Sequence, residues 1–315
     1  MNYVTNTQST STNKNKTFSN LTTKALRLFI LLVLIPLFNL SLSSCSQSDS
    51  IAPESENHSA ARENASILNV DGFESDKVGS FWSKELFTPT AGKLVNDLHR
   101  VGNQAMRFSW KPSQANGTNK MLHSELATSA IAPGDVAERW YGYSSYMPSA
   151  SMAKDDQTVI VSQWHGVPDP GFEDSVPPLC IELNSDRLKL WYCASNVAIT
   201  KALQNSTSNK RLDLGAAIYD RWVDYVVHVK WDPTGKTGLL EIWQDGKRIV
   251  NEQGISIGYP QQRKPYWKCG LYCWMAKATY EEKSIYYDEV RIGGPSANYD
   301  AVKPGRNDNS AKVQF

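Results

Sequence analysis

Between residues 67 and 295 the apolar and polar side chains alternate in short runs instead of recurring at helical spacing. Arg107-Phe108-Ser109-Trp110, Trp140 to Met147, Thr158 to His165, Trp222 to Trp231, Gly238 to Trp243 and Tyr286 to Ile292 each carry the period-two signature of a strand. Two strong turn signals, Asp232-Pro233-Thr234-Gly235 and Gln244-Asp245-Gly246-Lys247, sit between such runs. Val223 to Trp231, Leu239 to Trp243 and Arg248 to Val250 are therefore expected to form a meander. Many strands with few helical stretches predict an all-β fold, a two-sheet β-sandwich of the jelly-roll or concanavalin-like kind. No internal repeat is visible.

The first 45 residues break this pattern. Lys14, Lys16, Lys24 and Arg27 precede an apolar block, Leu28 to Leu42, that runs into Leu42-Ser43-Ser44-Cys45. A basic stretch, an apolar stretch and small residues before a cysteine resemble a bacterial lipoprotein signal, with Cys45 as the lipid anchor. The block is interrupted by Pro36 and Asn39 and is shorter than the ~20 residues a spanning helix needs. Ser46 after the cysteine points to the outer membrane, on its periplasmic or cell-surface face. Residues 46–66 are rich in Ser, Glu, Asn and Ala and read as a disordered tether. Residues 67–295 suffice for one catalytic-sized domain, and 296–315 read as a polar, frayed tail.

Lysine and arginine total 33 against 32 acidic residues, so no global field favours nucleic acid, and any anionic ligand must be held locally. Ten tryptophans and fourteen tyrosines suit a β core, and also a carbohydrate cleft lined by flat rings. No feature calls for an oligomer, and a monomer is expected. Export permits disulfides among Cys180, Cys193, Cys269 and Cys273. A hairpin turning at Asp186-Arg187 would set Cys180 opposite Cys193 and Leu183 opposite Leu190, a spacing a little wide of ideal disulfide geometry but compatible with a bridge. Cys269 and Cys273 in one extended strand would lie roughly 13 Å apart and cannot pair with each other. A crossed pairing between the two segments is also compatible with the sequence.

Three segments carry candidate chemistry. In Thr158 to Gly166, alternation puts Val159, Val161, Gln163 and His165 on one face, which starts apolar and ends polar, as in a strand leaving the core for a cleft. His165 then stands at the mouth of a Pro/Gly-rich loop, a usual place for function, although a lone histidine is more often structural. In Tyr266 to Trp274, Lys268, Gly270, Tyr272 and Trp274 share a face, and a glycine inside a strand marks close approach of a ligand or of another backbone. The bland alternative is a snorkelling lysine beside a half-buried tyrosine. In Met121 to Leu126, His123 and Glu125 share a face and are expected to be paired if they lie in a cleft.

Together with Val226 to Trp231 and Tyr286 to Gly293, these segments resemble the heparin lyase I-like polysaccharide lyases, a group also similar to the glucuronan lyases. The likeness runs from Phe73 to Gly293, and its most specific parts are Gln163-Trp164-His165 and Lys268-x-x-x-Tyr272. The resemblance implies a β-jelly roll and β-elimination across the bond to the 4-position of a uronic acid in an acidic polysaccharide. By matching motif, His165 would be a base, Tyr272 an acid and base with its pKa lowered by Lys268, and Gln163 and Lys268 substrate-binding groups. His123 and Glu125 would also bind substrate. Members of the group often carry arginine where this chain has His123, and a histidine grips a carboxylate only when protonated. Some members hold calcium, although the sequence assigns no ligands and the chemistry requires no cofactor.

Two other readings use the same fold. A glycoside hydrolase needs two carboxylates about 5 to 9.5 Å apart, and the Glu-x-Asp-x-(x)-Glu triplet of sandwich glucanases is absent. A noncatalytic glycan-binding lipoprotein would keep the aromatics but need neither His165 nor Tyr272.

Overall fold

The computed structural model describes residues 66–86, 88–115, 122–153, 157–197, 208–275 and 280–305. Cys45, with the signal and nearly all of the tether, lies outside the described residues. The strands are β1 (Ile67–Asp71), β2 (Ser83–Leu86), β3 (Gly92–Val95), β4 (Ala105–Trp110), β5 (His123–Ala127), β6 (Glu138–Tyr146), β7 (Val159–His165), β8 (Leu179–Asn184), β9 (Arg187–Ala194), β10 (Ser208–Ala216), β11 (Trp222–Lys230), β12 (Leu239–Gln244), β13 (Lys247–Gln253), β14 (Tyr266–Tyr272) and β15 (Lys283–Gly293). Two single-turn helices, α1 (Ser149–Met152) and α2 (Tyr299–Val302), complete the regular structure with one 3₁₀ turn.

The strands form two antiparallel sheets, one of eight strands ordered β13-β12-β11-β6-β15-β4-β3 with β1 beside β15, the other of seven ordered β10-β9-β8-β7-β14-β5-β2. The expected sandwich is present, and so is the meander, as β11-β12-β13. Asp245 and Gly246 close its second turn with positive φ at both positions, the backbone a two-residue hairpin demands.

Between the sheets lies an aromatic core centred on Trp267 of β14. Its ring lies 5.0 Å from Tyr143, 5.7 Å from Tyr141, 5.8 Å from Trp82 and 6.3 Å from Trp164, and its indole N–H donates to Ser162 Oγ at 2.8 Å. Each such fully buried side chain contributes about 1.5–3 kcal/mol. A one-residue slip of β14 would expel Trp267 and bury Lys268 among apolar groups, so the core fixes which side chains reach the opposite face.

Several expectations are corrected. The β8-β9 hairpin turns on Ser185 and Asp186, both at positive φ, and not on Asp186-Arg187. Cys180 therefore faces Trp191, while Cys193 pairs with Asn209 on β10, and both thiols are free. Cys269 and Cys273 are free too, so no crossed bridge forms. Residues 296–305, read as a frayed tail, pack down as α2 with Val302 fully buried. They do so because Gly142 of β6 has no side chain: a Cβ there would meet the Val302 carbonyl oxygen at 1.7 Å.

A buried carboxylate on β15 makes stability depend on pH. Asp288 accepts the N–H groups of Arg100, Val101 and Glu289 at 2.7, 3.2 and 2.7 Å. Burial nevertheless outweighs these bonds and raises its pKa to about 7. The native state thus holds a proton that the unfolded chain releases near pH 4, so this stabilisation is complete below about pH 4 and is lost as pH rises through 7. We expect unfolding free energy to fall by up to roughly 1 kcal/mol per pH unit between pH 5 and 7 relative to Asp288→Asn. Parallel denaturation profiles for the two proteins would contradict this.

Candidate active site

The outer face of the seven-stranded sheet collects the polar and charged groups that the core excludes. Along β14, Trp267, Cys269 and Leu271 are fully buried, which turns Lys268 and Tyr272 to the other face with Tyr266. Tyr266 stands opposite His165 and Lys268 opposite Gln163 on β7, while Gly270 stands opposite Glu125 and Tyr272 opposite His123 on β5. The six residues singled out in the sequence thus gather on three adjacent strands. Gly270 marks the approach of another backbone, since a Cβ there would meet the Ser124 carbonyl oxygen at 2.2 Å and its φ is +134°.

Glu125 is the hub of this face. Its Oε1 accepts from Gln163 Nε2 at 2.7 Å, its Oε2 accepts from His123 Nδ1 at 2.6 Å, and Lys268 Nζ lies 3.9 Å away. The Lys268 ammonium donates to Glu85 Oε2 at 2.8 Å, and Glu85 on β2 stands opposite Glu125. His123 stacks on Tyr272 with ring centroids 4.1 Å apart and planes 12° from parallel. Glu125 is buried and engaged by all of these partners, so it orients Gln163 and His123. Gln163 is left with a buried Oε1 that has no hydrogen-bond partner, an arrangement costing about 1–3 kcal/mol unless a ligand supplies a donor.

The electrostatics reverse one expectation. Burial alone would depress the Lys268 ammonium, but Glu125 and Glu85 outweigh it and raise the pKa above the ordinary lysine value. Tyr272 is raised, not lowered: burial pushes it up, Glu125 adds to this, and Lys268 compensates only in part. The lysine charge is shared with two carboxylates, and one of them, Glu125, acts on the phenol in the opposite sense.

His165 Nδ1 lies 3.0 Å from the Gly166 carbonyl, which can only accept, so in the neutral ring Nε2 carries the lone pair. Asp174, in the loop after β7, places Oδ1 3.9 Å from the same Nδ1. The rows holding His165 and Tyr272 lie six positions apart on β14, from Tyr266 to Tyr272. Yet the Asp174 charge raises the pKa of both tyrosines, an effect confined to about a Debye length.

Three further groups were not legible locally. Glu85 sits in the four-residue strand Ser83–Leu86, too short for alternation to show. Asp174 lies in a loop with no periodicity. Beyond β7, the Gln163 row continues through Cys180 and Trp191 to Arg211 on β10. The Arg211 guanidinium stacks 4.5 Å from the Trp191 ring centroid and bridges to the buried Glu182 at 2.5 Å. A flat ring and a cation thus lie on the same face, away from the hub.

Glu85, His123 and Glu125 form the one cluster among the described residues that could hold a metal, with ligand atoms within 4.8 Å of one another. The set does not fit calcium, which takes about six to eight oxygens. It offers a single atom from each residue, one of them nitrogen, and the Lys268 ammonium already neutralises Glu85.

A family model described as polysaccharide lyase matches residues 69–291. No curated protein gives a significant match. Among solved structures, the endo-β-1,4-glucuronan lyase of the fungus Trichoderma reesei superposes with a TM-score of 0.57 at 17% identity, over 76% of this chain and 94% of that one. A marine alginate lyase from Aplysia kurodai gives 0.48 at 12% identity over 65% and 88%, and a cellulose-induced protein gives 0.47 at 13% over 72% and 97%. At these identities the likeness to the glucuronan lyase is one of fold.

Proposed function

The chain belongs to the polysaccharide lyase family, and from that premise we propose that it cleaves a uronic-acid-containing polysaccharide by β-elimination, with His165 as base and Tyr272 as acid. The observation that carries the reading is the order of groups along the paired strands β7 and β14. His165 with its Nε2 lone pair comes first, the Gln163 and Lys268 pair next, and Tyr272 with its raised pKa last.

Abstraction of the C5 proton by His165 Nε2 leaves an electron pair that forms the C4=C5 bond as the C4–O4 bond breaks. The departing oxygen takes the Tyr272 phenolic proton. Negative charge grows on the uronate carboxylate in the transition state, where the second N–H of Gln163 and the Lys268 field stabilise it most. Exchange with solvent returns both side chains to their starting protonation. Trp191 and Arg211 would hold a sugar ring and a carboxylate further along the chain. No metal enters this scheme.

The test is absorbance near 232 nm, where an unsaturated uronate absorbs, during incubation with glucuronan, heparin, heparan sulfate, alginate and pectin. We expect product from at least one polymer, at a rate unchanged by EDTA. A second reading, hydrolysis, draws on the facing carboxylates Glu85 and Glu125, although both are already held by Lys268, His123 and Gln163. Reducing ends without the 232 nm band would favour it, and retention without either product would leave a glycan-binding protein.

A further inference from the structure

We infer that the outer face of the eight-stranded sheet is a second binding surface for the acidic polymer, remote from the cleft. The inference rests on the acidic-substrate reading above. Cross-strand register lines up Trp222, Tyr146, Tyr286, Arg107 and Lys93 in one row across β11, β6, β15, β4 and β3. Four strand spacings of about 4.8 Å make this row ~19 Å long, the scale of a short oligosaccharide. All five side chains are half-buried or exposed.

The row is chemically graded. Tyr146 meets Trp222 at 5.7 Å and Tyr286 at 6.0 Å, with rings tilted to one another, so each presents a separate surface to a sugar. Neither tyrosine hydroxyl bonds to a described residue. Arg107 lies 6.0 Å from the Tyr286 ring centroid. At this end Arg107 and the exposed Lys111 share one carboxylate, Glu282, and Lys93 adds a further charge, a net excess of cations. Asp220, whose charge reaches Tyr146, lies at the aromatic end and accepts the Ser149 N–H.

The row also leads somewhere. Lys93 lines a cleft of about 600 Å³ at the open edge between β3 and β2, where Lys77 and Lys84 add positive charge against Asp76. Lys84 is followed in β2 by Glu85, which belongs to the active-site hub on the opposite sheet. A uronate chain lying on the aromatic row would therefore run towards cations and round the edge strand to the catalytic face. Neither an aromatic row nor a lysine edge would alone name a ligand, whereas their continuity fits a sugar polymer carrying repeated carboxylates.

The test uses the full-length protein with Trp222→Ala/Tyr286→Ala and, separately, Lys93→Glu, an exposed substitution that spares the fold. Retardation is measured in gels containing polyglucuronate or alginate, beside a neutral β-glucan control. Turnover is followed at 232 nm on the polymer and on a tetrasaccharide of the cleaved substrate. Both variants should lose about five- to tenfold in acidic-polymer retention and raise KM on polymer equally, with tetrasaccharide kcat unchanged. Unchanged retention in Lys93→Glu, or an equal loss on the tetrasaccharide, overturns the second surface. If the wild type yields no 232 nm product from any acidic polymer, the substrate reading has failed. Retention lost in the variants would then still establish the surface.

Discussion

Tyr272→Phe is expected to lower kcat by about 10²- to 10⁴-fold, the range for removing a positioned proton donor, while leaving the fold and polymer binding intact. The substitution deletes one hydroxyl from a half-buried ring and keeps the stacking on His123 at 4.1 Å. The effect should fall on kcat with little change in KM, because the phenol acts on the leaving oxygen only as the bond breaks. Burial and Glu125 hold the Tyr272 pKa above its ordinary value, so the phenol stays protonated to higher pH than a free tyrosine. An alkaline limb of the wild-type rate profile set by this group therefore lies above pH ~10. Near-normal turnover by Tyr272→Phe would sink the assignment.

The second large effect is expected at Glu125, the buried acceptor at the centre of the network. Glu125→Leu removes the acceptor for Gln163 Nε2 and His123 Nδ1 and one of the two carboxylates that balance Lys268. Breaking a buried charged network from one side costs about 3–5 kcal/mol, and activity should fall with the lost orientation. Glu125→Gln separates the two consequences, since it keeps the shape and one acceptor while removing the charge. It should retain the fold and shift any Tyr272-dependent alkaline limb to lower pH, because Glu125 is one cause of the raised tyrosine pKa. A Glu125→Gln enzyme with wild-type kcat/KM and an unshifted profile would show that the hub is dispensable.

The cysteine assignment shows why local pattern misleads about pairing. Cys180 and Cys193 stand on the outer face of their strands because Leu179, Ile181, Leu190 and Tyr192 fill the core, but their partners depend on which two residues make the turn. Moving the turn to Ser185-Asp186 carries Cys180 from Cys193 to Trp191. Likewise, the shared face of Lys268 and Tyr272 suggests by itself that the lysine acidifies the phenol. That inference lacked Glu85, a residue some 180 positions away in sequence that claims the ammonium.

The sequence alone determined what the two-residue pleat determines: which runs are strands, which side of each strand is apolar, and where the β11-β12-β13 meander turns. These are local properties, set by side-chain alternation and by residues that tolerate positive φ. It also marked His123, Glu125, Gln163, His165, Lys268 and Tyr272 as polar groups on otherwise apolar strands. Only the tertiary structure decided that β5, β14 and β7 are neighbours, because the chain crosses between the sheets before and after β5 and β14 and again before β7. Non-local closure joined Glu85 to Lys268 and buried Glu125 as a hub, while the loop after β7 brought Asp174 to His165. Those contacts set the charge balance that a proton transfer needs, and no spacing within a single strand encodes them.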